Sequence, residues 1–163
     1  MGEVAHAASD RYPREILDED YDDGTMPASL DALGEAVIGH KIVEVRHGSF
    51  KPPKAWWPQT GLALLLDNGH IVWMAEEGDC CAYTSVEVDT IIKHIDQIDH
   101  VITGVGTTDG YTQWHIYADL GDVLEFEVGW SCGNPFYYAY GFNITVFEPN
   151  QEGLTEAFKE LER

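Results

Sequence analysis

The chain has 163 residues and a formal net charge of −20, from 29 Asp and Glu residues against nine Lys and Arg residues. Between positions 55 and 158 the imbalance is larger still, because Lys93 is the one Lys or Arg there, against sixteen acidic residues. Binding to nucleic-acid phosphates or to anionic lipid needs a basic surface, so we predict neither direct nucleic-acid binding nor membrane binding. The negative electrostatic field of the chain attracts basic partners instead.

The apolar and cysteine content indicates an intracellular globular protein. Apolar residues make up 44% of the chain and aromatic residues 12%, which is ordinary for a domain with a core. No segment approaches the roughly 20 apolar residues of a membrane-spanning helix, and the N-terminus lacks the features of a secretory signal. Three cysteines are too few, and an odd number, for a disulfide scaffold. We therefore expect a cytoplasmic protein.

Residues 1–28 are predicted to form an acidic, flexible tail, and residues 29–163 a single domain. The tail is polar and contains a dense run of carboxylates, formed by Asp18, Glu19, Asp20, Asp22 and Asp23. Such a composition is typical of a solvated segment. The alternative is an arm that folds onto a basic partner. Deletion of residues 1–28 is expected to leave the domain folded.

A short helix and a strand open the predicted domain. Ser29 is a typical N-cap for a helix over residues 30–38, and a glycine at position 39 ends it. Residues 40–47 are rich in β-branched side chains, which predicts a strand.

Two hairpins follow in the sequence. The clearer one spans residues 62–75, where apolar runs flank Asn68-Gly69, a strong signal for a type I′ turn. The apolar runs are nearly continuous, which predicts strands covered on both faces. The second hairpin spans residues 111–128, where the alternation of apolar and polar side chains places Glu125 and Glu127 on the exposed face.

The remaining segments complete an α+β fold. The apolar residues within 85–98 are spaced as in a helix better than they alternate as in a strand. Their β-branched side chains also favour a strand. We predict a helix. Residues 101–107 and 136–147 are predicted strands, and an apolar stripe over residues 154–161 predicts a terminal helix. We therefore predict a single α+β domain with a mainly antiparallel sheet of six or seven strands and two or three helices.

The segment around Asp79, Cys80 and Cys81 is the one that most resembles a chemical site. Adjacent residues of a strand point to opposite faces, so both thiols rarely meet one ion, and the spacing is not CxxC. The acidic surroundings also disfavour a reactive thiolate. We therefore predict no catalytic, cofactor-binding or metal-binding residues. A metal- or thiol-dependent enzyme centred on this segment remains an alternative.

The aromatic residues are the candidate interface. Trp56 and Trp57 lie within residues 48–58, which contain three prolines and are predicted to form a loop. Tyr137 and Tyr138 belong to a second aromatic cluster near the C-terminal end. Tryptophan and tyrosine among acidic residues are suited to binding a basic, partly apolar protein surface. The alternative is that these side chains fill the core.

Four short motifs resemble a known family: residues 39–42 (Gly-His-Lys-Ile), residues 66–69 (Leu-Asp-Asn-Gly), residues 77–81 (Glu-Gly-Asp-Cys-Cys) and residues 133–138 (Gly-Asn-Pro-Phe-Tyr-Tyr). They resemble a family of small, uncharacterised domains of actinobacteria and their bacteriophages, distinguished by the Gly-Asp-Cys-Cys motif. The resemblance covers roughly residues 33–147. The late motif departs from the family pattern, in which Asn-Gly is usual. The resemblance implies a bacteriophage or actinobacterial cytosolic context and no catalytic residues.

These observations lead to three functional hypotheses. The first is a phage-type acidic interaction protein that binds and modulates a basic host protein in the bacterial cytosol, for host takeover or anti-defence. Its candidate interface comprises Trp56, Trp57, Tyr137, Tyr138 and the acidic run of the tail. The second is a nucleic-acid mimic that blocks a basic DNA- or RNA-binding site. The third is the metal- or thiol-dependent enzyme. The sequence does not predict an oligomeric state.

Overall fold

The computed structural model of the protein describes residues 17, 26–52, 55–76, 84–91, 100–118, 121–130, 143–149 and 154–162. In chain order these form α1 (Met26–Val37), β1 (Ile42–Phe50), β2 (Gln59–Leu66), β3 (Ile71–Ala75), β4 (Thr84–Ile91), β5 (Gly104–Thr108), β6 (Gln113–Ala118), β7 (Gly121–Trp130), β8 (Asn143–Phe147) and α2 (Leu154–Lys159).

The described strands form two antiparallel sheets of four strands each. The first sheet has the order β1-β2-β3-β8, and the second sheet has the order β4-β7-β6-β5. The α+β class and the antiparallel pairing are confirmed. Eight strands in two sheets replace the predicted six or seven strands in one mainly antiparallel sheet. Neither described helix has the length and apolar character that crossing a membrane requires.

The helix α1 begins four residues earlier than the sequence predicted. Pro27 lies in its first turn, where the missing N–H interrupts no helical hydrogen bond, so Ser29 lies within the helix as a buried residue instead of capping it. Four apolar side chains of one face are fully buried: Met26, Leu30, Leu33 and Val37. The first turn of α1 therefore belongs to the core although it lies inside the predicted tail.

The hairpin of β2 and β3 is confirmed, but its turn differs from the predicted type I′. Leu66 N–H donates to His70 O at 2.9 Å, and Gly69 N–H donates to Leu66 O at 3.0 Å. Gly69 has a φ of +86°, whereas Asn68 has no positive φ. A type I′ turn needs positive φ at both central residues, so this is a three-residue loop that ends in a left-handed glycine.

Residues 84–91 form the strand β4 and not the predicted helix. They pair with β7 in an antiparallel ladder that shifts register between Val88 and Thr90. The extra residue of a bulge breaks the two-residue alternation, which is why the apolar spacing fitted a helix. The β-branched side chains of this segment favour the pleated geometry of a strand. The predicted loop 48–58 is also shorter than expected, because β1 continues through Phe50.

Two apolar cores cover opposite faces of the first sheet. The larger core joins α1, the first sheet and the second sheet, with members that include Leu62, Leu64, Val72, Met74, Trp114, Ile116, Phe126 and Val128. The smaller core packs α2 against the other face, with Phe50, Ala63, Ile71, Trp73, Ala75, Phe147, Leu154, Phe158 and Leu161. Alternate residues of β2 and β3 enter different cores, so both faces of these strands are covered, as predicted.

Arg46 holds α2 against β1. Its guanidinium donates to the Glu44 carboxylate from Nε at 3.0 Å and from Nη2 at 3.3 Å. Nη1 donates to the backbone oxygens of Lys159 and Leu161 at 3.1 and 3.2 Å, and the guanidinium carbon lies 4.9 Å from the centre of the Phe158 ring. The guanidinium of Arg46 therefore makes contacts that stabilise the fold.

Candidate functional site

The tryptophan loop, which we define as the described residues 51, 52 and 55–58 between β1 and β2, presents two indoles to solvent. Trp56 is 88% exposed and Trp57 is 71% exposed, against 1% for Trp73 and 0% for Trp114. The alternative that Trp56 and Trp57 fill the core is therefore wrong for the part of the chain that the structure describes. A pair of adjacent, exposed tryptophans forms an apolar patch of the kind found at interaction sites.

The base of the tryptophan loop is fixed to the smaller core. Phe50, the last residue of β1, pairs with Gln59, the first residue of β2. The Phe50 ring packs edge-on against Trp73, with ring centres 4.6 Å apart, and Trp73 Nε1 donates to Gln59 Oε1 at 2.8 Å. Pro52 and Pro58 restrict the backbone on either side of the indoles. The loop is thus held at both ends by buried aromatic contacts.

The outer face of the second sheet is acidic. We define this acidic face by Glu87 of β4 and three residues of β7, Asp122, Glu125 and Glu127. Glu87 and Glu127 are directly opposite each other in the β4–β7 ladder, and both side chains are exposed. Like charges in opposed positions destabilise a sheet. The arrangement therefore makes a compact negative patch at some cost in stability.

A buried histidine lies beside the carboxylates of the acidic face. His115 of β6 is opposite Glu125 of β7 and is 5% exposed. Its Nδ1 lies 3.5 Å from Asp122 Oδ2 and 3.6 Å from Glu125 Oε1. Its Nε2 lies 2.9 Å from Thr108 Oγ1 of β5. Three strands thus converge on one imidazole, and we call His115, Asp122 and Glu125 the histidine–carboxylate cluster.

Tyr117 lies two residues after His115 on the same face. Burial, together with the negative charge of Asp122, raises the pKa of Tyr117 from 10.0 to about 12. Leu17 packs over this part of the sheet, because it forms a buried pair with Tyr117 and contacts the Gly106 position of β5. The phenol of Tyr117 therefore stays neutral to a higher pH than the phenol of an exposed tyrosine does.

Several residues that the sequence singled out lie outside the described residues. They are the acidic run of the tail, the segment around Gly-Asp-Cys-Cys and the late tyrosines, namely Asp18, Glu19, Asp20, Asp22, Asp23, Asp79, Cys80, Cys81, Tyr137 and Tyr138. Of the predicted site residues, the structure describes Trp56 and Trp57.

Sequence reasoning missed the histidine–carboxylate cluster. Its three members are spread over eleven positions in two strands, without the short i, i+2 or i, i+4 spacing of common metal motifs. The usable signal was the second predicted hairpin, in which His115 and Glu125 occupy strands that pair with each other.

A comparison with known families identifies the family of the chain. Residues 35–144 match a family described as a domain of unknown function, DUF7448, and this range is more than half of the chain. The chain belongs to this family. No curated protein and no solved structure matches the chain.

The match to DUF7448 includes the principal features of the site. The tryptophan loop, Glu87 and the histidine–carboxylate cluster all fall within residues 35–144. The segment with the Gly-Asp-Cys-Cys motif also falls within it. In contrast, α2 and Leu17 lie outside the DUF7448 match.

Proposed function

We propose that this DUF7448 domain is a protein-interaction module that binds a partner protein with a basic surface, with Trp56 and Trp57 as its anchors. The observation that carries the proposal is the 88% and 71% exposure of these two adjacent indoles. Tryptophan is enriched among the few residues that supply most of the energy of an interface. Burial of two such side chains favours association at any ionic strength, because it depends on apolar area.

The charge of the chain supports a basic partner. The net charge is −20, and the acidic face places Glu87 opposite Glu127. A basic partner would relieve the repulsion between these carboxylates on binding, and its approach would be accelerated by the long-range field. The tryptophan loop itself carries Lys51, an exposed cation. In this proposal the electrostatic attraction therefore comes from the acidic face, and the loop provides apolar contact.

Hydrogen bonds connect the start of β2, next to the tryptophan loop, to β4 of the acidic face. Glu76 N–H donates to Thr60 O at 2.8 Å, and Glu76 Oε2 accepts from Val86 N–H at 3.1 Å. Thr60 is three residues after Trp57, and Val86 precedes Glu87. In the proposal, the partner contacts both the indoles and the start of the acidic face, which this link through Glu76 joins within the fold.

The biological form of the proposal is a phage-type protein that binds and modulates a host protein in the bacterial cytosol. The resemblance to domains of actinobacteria and their phages motivates this context. A nucleic-acid mimic would use the same carboxylates without depending on the indoles. We favour host-protein binding because exposed tryptophans have no role in imitating a phosphate backbone.

The test is differential capture from a bacterial host lysate followed by binding measurements with the purified captured protein. Wild type is compared with the double variant Trp56→Ala/Trp57→Ala and with the double variant Glu87→Gln/Glu127→Gln. The matched controls are Val146→Ala, which shortens another exposed apolar side chain, and Glu156→Gln/Glu160→Gln, which removes two exposed charges from the region of α2.

We expect one principal basic partner, retained by both controls, with affinity reduced about 100-fold or more by the tryptophan double variant. The glutamate double variant is expected to slow association and to reduce its dependence on salt. Equal affinity of wild type and the tryptophan double variant would overturn the proposal. Displacement of the partner by duplex DNA, with no effect of the tryptophan substitutions, would establish mimicry in its place.

A further inference from the structure

We propose that the histidine–carboxylate cluster, His115, Asp122 and Glu125, is a binding site for a divalent transition-metal ion. One nitrogen and two carboxylate oxygens of these residues all lie within 4.8 Å of one another. The proposed site shares Asp122 and Glu125 with the acidic face, but the anchors Trp56 and Trp57 take no part in it, so metal binding and partner binding can be tested separately.

The spacing of the donor atoms fits an ion between them. Nδ1 of His115 is 3.5 Å from Asp122 Oδ2 and 3.6 Å from Glu125 Oε1. Donors that each lie ~2.1 Å from a tetrahedral zinc ion are about 3.4 Å from one another. All three donor atoms lie within 4.8 Å of one another, so only a small adjustment of the side chains would be needed to reach this spacing.

Thr108 orients the imidazole for this role. Its Oγ1 lies 2.9 Å from His115 Nε2, and when Nε2–H donates to it the lone pair of Nδ1 faces the carboxylates. A histidine that ligates a metal usually donates its other ring N–H to an oxygen acceptor. Three electron-pair donors would then face one another, an arrangement that a cation between them stabilises.

Charge and burial favour a divalent ion over a monovalent one. With a neutral imidazole the cluster carries two negative charges, which a divalent cation balances. His115 is buried, whereas Asp122 and Glu125 are half-buried, so the cluster meets solvent on its carboxylate side. The mixed nitrogen and oxygen set favours Zn²⁺ over Mg²⁺ and Ca²⁺, because those ions prefer oxygen ligands alone. Three protein ligands would leave a fourth position open, as in catalytic zinc sites.

The experiment is a Zn²⁺ titration of the full-length protein against a chromophoric zinc chelator, after removal of bound metal. Cysteine thiolates are good zinc ligands in general, so the titration is repeated in a Cys80→Ser/Cys81→Ser/Cys132→Ser background. In that background Asp122→Asn and Glu125→Gln test the cluster. Asp109→Asn is the matched control, since Asp109 is an exposed carboxylate in the β5–β6 turn of the same sheet.

We expect one Zn²⁺ per chain in the cysteine-free background, at least tenfold weaker Mg²⁺ binding, and no change in Asp109→Asn. Asp122→Asn and Glu125→Gln are each expected to weaken Zn²⁺ binding about tenfold or more. Circular dichroism and thermal melting check that each variant is folded, and Glu125→Gln tests the site even if Asp122→Asn does not fold. Loss of binding in the cysteine-free background, or equal affinity in the cluster variants and the control, would overturn the proposal.

Discussion

Glu76 Oε2 accepts a hydrogen bond of 3.1 Å from the backbone N–H of Val86 and thereby joins the end of β3 to β4. Val86 belongs to the second sheet, and Glu76 is the residue that follows β3 of the first sheet. Because Glu76 N–H also donates to Thr60 O, one residue ties together β2, β3 and β4. This is the polar counterpart of the larger apolar core, which joins the same sheets.

We predict that Glu76→Ala destabilises the protein by about 2 kcal/mol, because Val86 N–H loses a charged acceptor. Glu76→Gln is expected to cost less, since its amide oxygen can still accept the bond. Urea denaturation of the three proteins measures the difference. A Glu76→Ala variant as stable as wild type would show that this link contributes nothing to the joining of the sheets.

Gly61 is predicted to be intolerant of any side chain. A Cβ at this position would overlap the backbone carbonyl of Met74 on the paired strand, and a backbone carbonyl in a ladder cannot move aside. At Gly129 the nearest atom is the hydroxyl of Ser85, at 2.9 Å, which can rotate. Gly61→Ala is therefore expected to cost about 2 kcal/mol or more and Gly129→Ala much less. Denaturation midpoints of the two variants test the contrast, and equal midpoints would contradict it.

Leu17 is predicted to stabilise the second sheet although it lies in the acidic N-terminal segment. Its side chain is buried against Tyr117 and the Gly106 position. Leu17→Ala should lower the free energy of unfolding by about 2 kcal/mol, the lower end of the range for buried leucines. Val101→Ala, at an exposed apolar position, is the control with little expected effect. Unchanged stability of Leu17→Ala would mean that the segment does not contribute to the fold.

The raised pKa of Tyr117 predicts a loss of stability in alkali. The unfolded phenol ionises near 10.0, whereas the folded one does so near 12, so the folded state binds the proton more tightly in between. The contribution to stability is therefore complete below pH 10 and is lost as the pH rises towards 12. Tyr117→Phe is expected to show a smaller loss between these values. The comparison requires denaturation curves of both proteins at several alkaline pH values, and parallel pH profiles would contradict the assignment.

Local sequence signals predicted those elements whose pattern is uninterrupted. The hairpin of β2 and β3 follows from apolar runs around Asn68-Gly69, and α2 follows from one apolar stripe. The strand β4 was mistaken for a helix because its ladder contains a register shift after Val88. A bulge is decided by pairing with another strand, and the residues of one strand alone do not reveal it.

The histidine–carboxylate cluster depends on a second register shift. With a regular ladder from the Ala118–Gly121 pair, His115 would be opposite Leu124. The shift between Ile116 and Tyr117 moves Glu125 opposite His115 instead. The exposure of Trp56 and Trp57 was likewise undecided in the sequence, because a proline-rich loop can turn its aromatic side chains inwards or outwards.

Whether Trp56 and Trp57 anchor a partner protein can be measured by hydroxyl-radical footprinting of the tryptophans, in the free protein and in the complex with its captured partner. We predict rapid oxidation of Trp56 and Trp57 in the free protein and strong protection of both in the complex, with Trp73 and Trp114 protected throughout. Oxidation of Trp56 and Trp57 at the same rate in the free protein and in the complex would contradict their role as the anchors of the interaction.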